Sequence, residues 1–163
     1  MNIAVLGSGG REHAIVWKLA QSVPLENIYT LPGNGGIPNS VPIESTDVEA
    51  IKQFCQEKRI GLIIVGPEAP LAAGIVDAFA GTGIKVFGPS QRAAQLESSK
   101  IQAKQFMQRY GVATADFWVI DRDEDARGLI RELGGNLVLK YDGLASGKGV
   151  YVCSSEEEAL HAL

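Results

Sequence analysis

Four glycine-rich segments hold most of the side chains and backbone groups suited to binding charge. The first is Gly7-Ser8-Gly9-Gly10-Arg11-Glu12-His13, between the apolar run Ile3–Leu6 and a helical pattern. At a strand-to-helix turn, free backbone N–H groups and the helix dipole favour an anion. Arg11 adds a fork that fits phosphate, and Glu12 or His13 can bond sugar hydroxyls. The plain alternative is a tight turn with a solvated helix start, and for His13 alone that alternative is preferred. Pro32-Gly33-Asn34-Gly35-Gly36 and Gly66-Pro67-Glu68 also follow strand patterns. They therefore lie at the carboxyl edge of a sheet, where open α/β folds bind ligands. Glu68 can accept from ribose hydroxyls or an amine, or it can simply favour a helix first turn.

The fourth segment runs from Lys140 through Asp142, Gly143, Ser146, Gly147, Lys148 and Gly149. A lysine ending a buried strand is costly without a partner, and the glycines and Lys148 that follow have the composition of a phosphate cradle. Three residues, not four, lie between Gly143 and Gly147-Lys148, and Gly149 replaces the hydroxyl ligand of a Walker loop. The loop thus reads as a hairpin tip able to close as a flap. Lys100 and Lys104 stand one helical turn apart, either on a wet face or with one of them reaching phosphate. The dinucleotide fingerprint fails in the first loop. Glu12 replaces its third glycine, and Leu31-Pro32 stands where an acid would bind ribose. A nicotinamide cofactor is disfavoured.

The elements that must position these loops alternate. Strands are expected at 3–6, 27–31, 62–65 and 84–87. Helices are expected at 12–22, from a Thr46-x-x-Glu49 capping box to Lys58, and along Leu71, Ile75 and Phe79. This rhythm implies a Rossmann-like parallel sheet covered on both faces over residues 1–98. From 99 to 163 the pattern changes. Helix 99–110 carries Ala103, Phe106, Met107 and Tyr110 on one face. A strand at 116–120 and a helix at 124–133 follow, then strands at 136–141 and 149–153 that pair antiparallel. Ser155-x-x-Glu158 opens a helix that reaches Leu163 without a C-cap, so this second domain reads as incomplete.

Composition narrows the classes. A net charge of −4 gives no general attraction for nucleic acid or anionic membranes. The longest aliphatic run, Leu62–Val65, is far below the ~20 residues of a membrane span, and no leader pattern precedes it. A cytoplasmic protein is expected. Cys55 and Cys153 sit in apolar patterns and read as buried reduced thiols. Glycine, at 19 of 163 residues, exceeds the usual ~7% and gathers at strand ends, where function is expected.

In order along the chain, residues 7–13, 32–34, 66–71 (GPEAPL), 88–89, 96–100 and 140–150 (with DGLASGKGV) closely resemble the phosphoribosylamine–glycine ligase family, ATP-grasp enzymes of purine biosynthesis. Tyr141 stands where that family usually has alanine, and Ser98 where glycine is common. The resemblance implies a pre-ATP-grasp substrate domain over 1–98 and the start of an ATP-grasp domain over 99–163, with an antiparallel glycine-rich flap. It implies that ATP, with Mg²⁺ or Mn²⁺, activates glycine as an acyl phosphate. Phosphoribosylamine then attacks, giving glycinamide ribonucleotide, ADP and phosphate. Lys100, Lys104, Lys140, Asp142, Gly143, Ser146, Gly147, Lys148 and Gly149 would serve ATP. Gly9, Gly10, Arg11, Glu12, Gly33, Asn34, Gly66, Pro67 and Glu68 would serve the sugar phosphate and amine. No covalent nucleophile is required. The metal ligands are expected beyond residue 163, and the 163-residue chain alone is expected to be inactive. Two alternatives stand: another ATP-grasp carboxylate–amine ligase, and a non-catalytic nucleotide- or sugar-phosphate-binding fragment.

Overall fold

The computed structural model describes residues 1–145 and 147–163. They form two compact units, Met1–Gln95 and Leu96–Leu163.

In the first unit, β1 (Asn2–Gly7), β2 (Ile28–Pro32), β3 (Ile60–Val65) and β4 (Lys85–Phe87) make one parallel sheet in the order β2-β1-β3-β4. Alternate residues of β1 face opposite layers. Ala4 and Leu6 pack with Leu31, Ile63 and Val65 against Ile51, Phe54 and Cys55 of α2 (Val48–Glu57). Val5 packs with Ile28 and Ile37 against Val16 of α1 (Gly10–Leu19). Burial on both faces is why β1 and β3 read as continuous aliphatic runs, the mark of a covered parallel sheet.

Three local expectations for this unit change. The N-cap of α2 is Asp47, whose carboxylate accepts from Ala50 N at 3.0 Å, while Glu49 pairs with Lys52 at 2.9 Å. Asp caps at least as well as Thr, so the helix starts one residue later than the Thr46 box implies. The helix expected through Leu71–Phe79 is two short ones, α3 (Glu68–Ala72) and α4 (Ile75–Ala78). Gly74 separates them in a left-handed conformation (φ +86°). An unexpected helix, α5 (Gln91–Ser98), follows β4; Gln91 N donates to Asp77 at 2.6 Å and its side chain to Ala72 O at 2.9 Å.

In the second unit, α6 (Lys100–Arg109), α7 (Asp123–Glu132) and α8 (Glu156–Ala162) accompany β5 (Asn136–Lys140) and β6 (Val150–Ser154), paired antiparallel from Asn136↔Ser154 to Lys140↔Val150. One face of this pair packs Leu137 and Cys153 with Ile130 of α7 and Ala159 of α8. Val138 and Val152 lie on the other face and are exposed. The expectation of a buried strand ending in Lys140 is therefore corrected: β5 is half-covered and Lys140 is exposed. Residues 116–120 form no strand, since among the described residues they pair with neither β5 nor β6. The apolar face of α6 is open as well, with Phe106 and Tyr110 exposed and their rings 4.5 Å apart. Ser155 caps α8 as its spacing predicts, accepting from Glu158 N at 3.2 Å. No helix among the described residues is long and apolar enough to cross a membrane.

Candidate functional site

In the first unit, strand register brings the three strand-end loops to one edge. Leu6 pairs with Leu31 and Val65, and Gly7 with Pro32, so β1, β2 and β3 end level. Backbone bonds continue past the strand ends, from Gly33 N to Gly7 O and from Gly66 N to Leu6 O, each 3.1 Å. Asn34 Nδ2 donates to Ser8 O at 2.6 Å and ties the second loop to the first. Gly33 has φ +69°, and a Cβ there would strike Ser40, so glycine is required on both counts. Ser40 was not singled out from the sequence. Its hydroxyl accepts from Asn34 N at 3.1 Å and donates to Ile37 O at 2.8 Å, bracing the loop. Isolated serines carry no spacing signal, and this role depends on a six-residue return of the chain.

Arg11 and Glu68 meet across the first and third loops, with Arg11 Nη1 donating to Glu68 Oε1 at 3.1 Å. Both are about half exposed. Glu68's own backbone N–H and the Arg11 guanidinium hold its carboxyl below the usual value. Hydrogen bonds to Glu12 and then Glu68 raise the Arg11 pKa. A guanidinium has five donors, so two used internally leave others for an anion. Glu12 is the surprise. It is almost wholly buried, its Oε2 accepting from Gly9 N at 2.7 Å and its Oε1 from Arg11 Nε at 2.8 Å. Part of the loop's capacity for an anion is thus met by the protein's own carboxylate. Gly10 and Pro67 complete the edge, Gly10 opening α1 and Pro67 preceding α3.

In the second unit, the two ends of the hairpin loop are joined by Tyr141 N donating to Gly149 O at 2.8 Å, and Lys148 N donates to Ala145 O at 2.8 Å within the loop. Gly143, Gly147 and Gly149 all have positive φ. Asp142 is committed at the base. It accepts from Ser99 Oγ at 3.0 Å and from Ile101 N at 3.1 Å, beside the N-cap of α6, Ser99, whose hydroxyl accepts from Gln102 N at 3.1 Å. Lys100 Nζ donates to Gly143 O at 3.0 Å. Lys100, Asp142 and Gly143 are therefore brought together. Lys104 points elsewhere in the unit, donating to Thr114 Oγ1 at 2.6 Å and Ala115 O at 2.9 Å, and lying 5.7 Å from the Phe117 ring centre. Lys140 and Lys148 are exposed, with no hydrogen bond or ion pair from either side chain among the described residues. Ser146, expected at the ATP site, lies outside the described residues. Among the described residues no three His, Cys, Asp or Glu side chains gather as cation ligands.

Comparison with known proteins gives these two units a context. Residues 98–163 match the model described as "Phosphoribosylglycinamide synthetase, ATP-grasp (A) domain", which defines the class as ATP-grasp. Residues 1–97 match "Phosphoribosylglycinamide synthetase, N domain". The chain belongs to the phosphoribosylglycinamide synthetase family. It is 48% identical over 166 residues to a phosphoribosylamine–glycine ligase of Halalkalibacterium halodurans, and 48% identical over 168 residues to one of Pasteurella multocida. Each match takes in 100% of this chain, which spans 39% of the relative's length. The crystal structure of a phosphoribosylamine–glycine ligase from Thermotoga maritima is similar with a TM-score of 0.75 and 34% identity, over 99% of this chain and 38% of that one.

Proposed function

We propose that this chain is part of an enzyme that ligates glycine to 5-phosphoribosylamine at the expense of ATP, giving glycinamide ribonucleotide, ADP and phosphate through glycyl phosphate, in the cytoplasm. The observation that supports this most is the unbroken succession of the two family matches along all 163 residues. In this reading residues 1–98 are the substrate-binding domain. Arg11 takes the sugar phosphate, while Gly9, Gly10, Gly33, Asn34, Gly66 and Pro67 shape the edge around it and Glu68 faces the ribose or the amine. Residues 99–163 open the ATP-grasp domain. Lys140 stands on an ordered strand on the open face of the β5–β6 pair, beside Val138 and opposite Val150. An apolar floor edged by a cation suits a nucleotide, its base against the valines and its phosphates toward the lysine. Lys148 rides the flap, and Lys100 holds the flap's base by its bond to Gly143 O. A divalent metal would supply further neutralisation of the transferring phosphoryl group. This chain's residues position substrates and offset charge, which is most of what phosphoryl transfer asks of a protein.

The test is product analysis of the complete enzyme. Formation of glycinamide ribonucleotide that needs ATP, glycine and phosphoribosylamine together is the expected outcome. Turnover with another carboxylate in place of glycine, and none with glycine, would overturn the assignment.

A further inference from the structure

The chain departs from β1 to one side, toward β2, and returns on the other, at β3, so the crevice between β1 and β3 is the reversal point of the sheet. Open α/β sheets bind ligands at that point. Here it is filled by a side chain of the protein itself. Glu12 folds back from the first turn of α1 between Gly7, which ends β1, and Gly66, which follows β3. A Cβ on Gly7 would lie 2.7 Å from Glu12 Cδ, and one on Gly66 would lie 2.6 Å from the same atom. The two glycines therefore leave the space that the carboxyl occupies. Its oxygens are both engaged, one by Gly9 N and one by Arg11 Nε. Arg11 in turn reaches Glu68 on the next loop.

Building on the functional reading above, we propose that Glu12 is a positioning residue and not a sugar ligand: its buried carboxylate fixes the first loop and aims the Arg11 guanidinium at the phosphate of the substrate. Glu12 is 3% exposed, which leaves a ribose hydroxyl no approach to it. Two effects of removing its charge have opposite signs. Electrostatics alone would strengthen the hold on an anion, since a nearby negative charge is gone. Loss of positioning weakens it, because Arg11 then samples many rotamers. The carboxylate is satisfied by a hydrogen-bonded N–H on each oxygen, so its field is largely answered and the positioning effect governs.

The experiment is a double-mutant cycle on the complete enzyme with Glu12→Gln and Arg11→Ala. Glutamine keeps the shape but must point its amide N–H₂ at one of the two donors, so one bond is lost. Glu12→Gln should raise the KM for phosphoribosylamine by about tenfold, the effect of one hydrogen bond to a charged group, and leave the KM for ATP within about twofold. In the Arg11→Ala background the same change should alter the KM for phosphoribosylamine by less than about twofold, because the residue acts through Arg11. Additive effects would mean a direct contact with substrate and overturn the proposal. A lower KM for phosphoribosylamine in Glu12→Gln would show that electrostatics governs and overturn it too. A second measurement does not depend on turnover. With ¹⁵N-arginine labelling, the Arg11 Nε–H signal should be sharp and slow to exchange in the wild type and lost in Glu12→Ala, which leaves no acceptor for it. The same signal in both proteins would refute the clamp even in an active enzyme. A wild type that shows the clamp but does not ligate glycine would count against the functional reading and not against the clamp.

Discussion

Replacing Gly66 with alanine puts one methyl group where the Glu12 carboxyl already sits. The backbone at Gly66 is not in the left-handed region, so the cost is one of space alone. The new Cβ would lie 2.6 Å from Glu12 Cδ and 2.7 Å from Cγ, and nearer still to Oε1. Atoms do not tolerate such separations, and the buried glutamate must swing away. Doing so breaks its bonds to Gly9 N and Arg11 Nε. Each is a charge-assisted bond worth ~1.5–3 kcal/mol, and the Arg11 side is discounted because the guanidinium is half exposed. The sum is ~2–4 kcal/mol, a large part of the ~5–15 kcal/mol that holds a domain together. Urea denaturation followed by circular dichroism should show a midpoint lower by about 1–2 M. Gly10→Ala is the matched control. Its Cβ meets nothing within 4 Å and it opens α1, so it should be neutral or stabilising by up to ~1 kcal/mol. With Glu12→Ala already present the crowding is relieved, and Gly66→Ala should then cost less than ~1 kcal/mol. A wild-type midpoint in Gly66→Ala, or equal losses in Gly66→Ala and Gly10→Ala, would refute the reasoning.

Three other outcomes are expected. Lys140→Ala should raise the KM for ATP about tenfold or more, yet change stability by less than ~0.5 kcal/mol because the side chain is exposed; unchanged ATP kinetics would remove Lys140 from the site. Asp142→Ala removes the carboxylate that accepts from Ile101 N in the first turn of α6, while Ser99 keeps the N-cap, and should cost ~0.5–1.5 kcal/mol locally, read as faster amide exchange at Ile101; unaltered exchange would show the bond is idle. Burial pushes the Cys55 thiol from its ordinary value of 9.0 up to about 11. The folded state therefore holds that proton more tightly than the unfolded chain, so the stability it contributes is full below pH 9 and is lost as pH rises toward 11. Wild type should lose stability across that window more steeply than Cys55→Ala, and parallel curves would contradict the shift.

Much of the first unit was legible because its signals are local. An aliphatic run with a glycine after it marks a buried strand and its exit whatever surrounds it; two such runs place Gly7 and Gly66 at one edge, and the mixed strand ending at Leu31-Pro32 adds Gly33. The role of Glu12 was not legible. In sequence it is a polar residue in a helix first turn, and only the meeting around it of Gly7 and Gly66, 59 positions apart in the chain, turns it inward. The second unit misled in the opposite direction. The apolar pattern of α6 and the apolar run at 117–120 promise burial, but Phe106 stays exposed and, among the described residues, no strand pairs with 116–120. Hydrophobic periodicity reports which face is meant to be covered, not what covers it. Lys140 drew attention as a buried charge, and the structure instead places it on an open face.

The level ending of β1, β2 and β3 makes strand length the ruler of the binding edge. Each loop starts where its strand stops, and the register Leu6↔Leu31 and Leu6↔Val65 fixes those stopping points against one another. Segments between elements, such as residues 20–27, return the chain from helix to strand at the far end of the sheet. They can lengthen or shorten without moving Arg11 relative to Asn34 or Glu68. One residue added within β1 is different in kind. It turns Leu6 and its neighbours to the wrong layers, because side chains alternate along a strand. It also pushes the first loop past the other two by one strand step. Sequence drift in this fold is therefore free to accumulate at the amino-terminal rim of the sheet, while the spacing from Ile3 to Arg11 behaves as a fixed length.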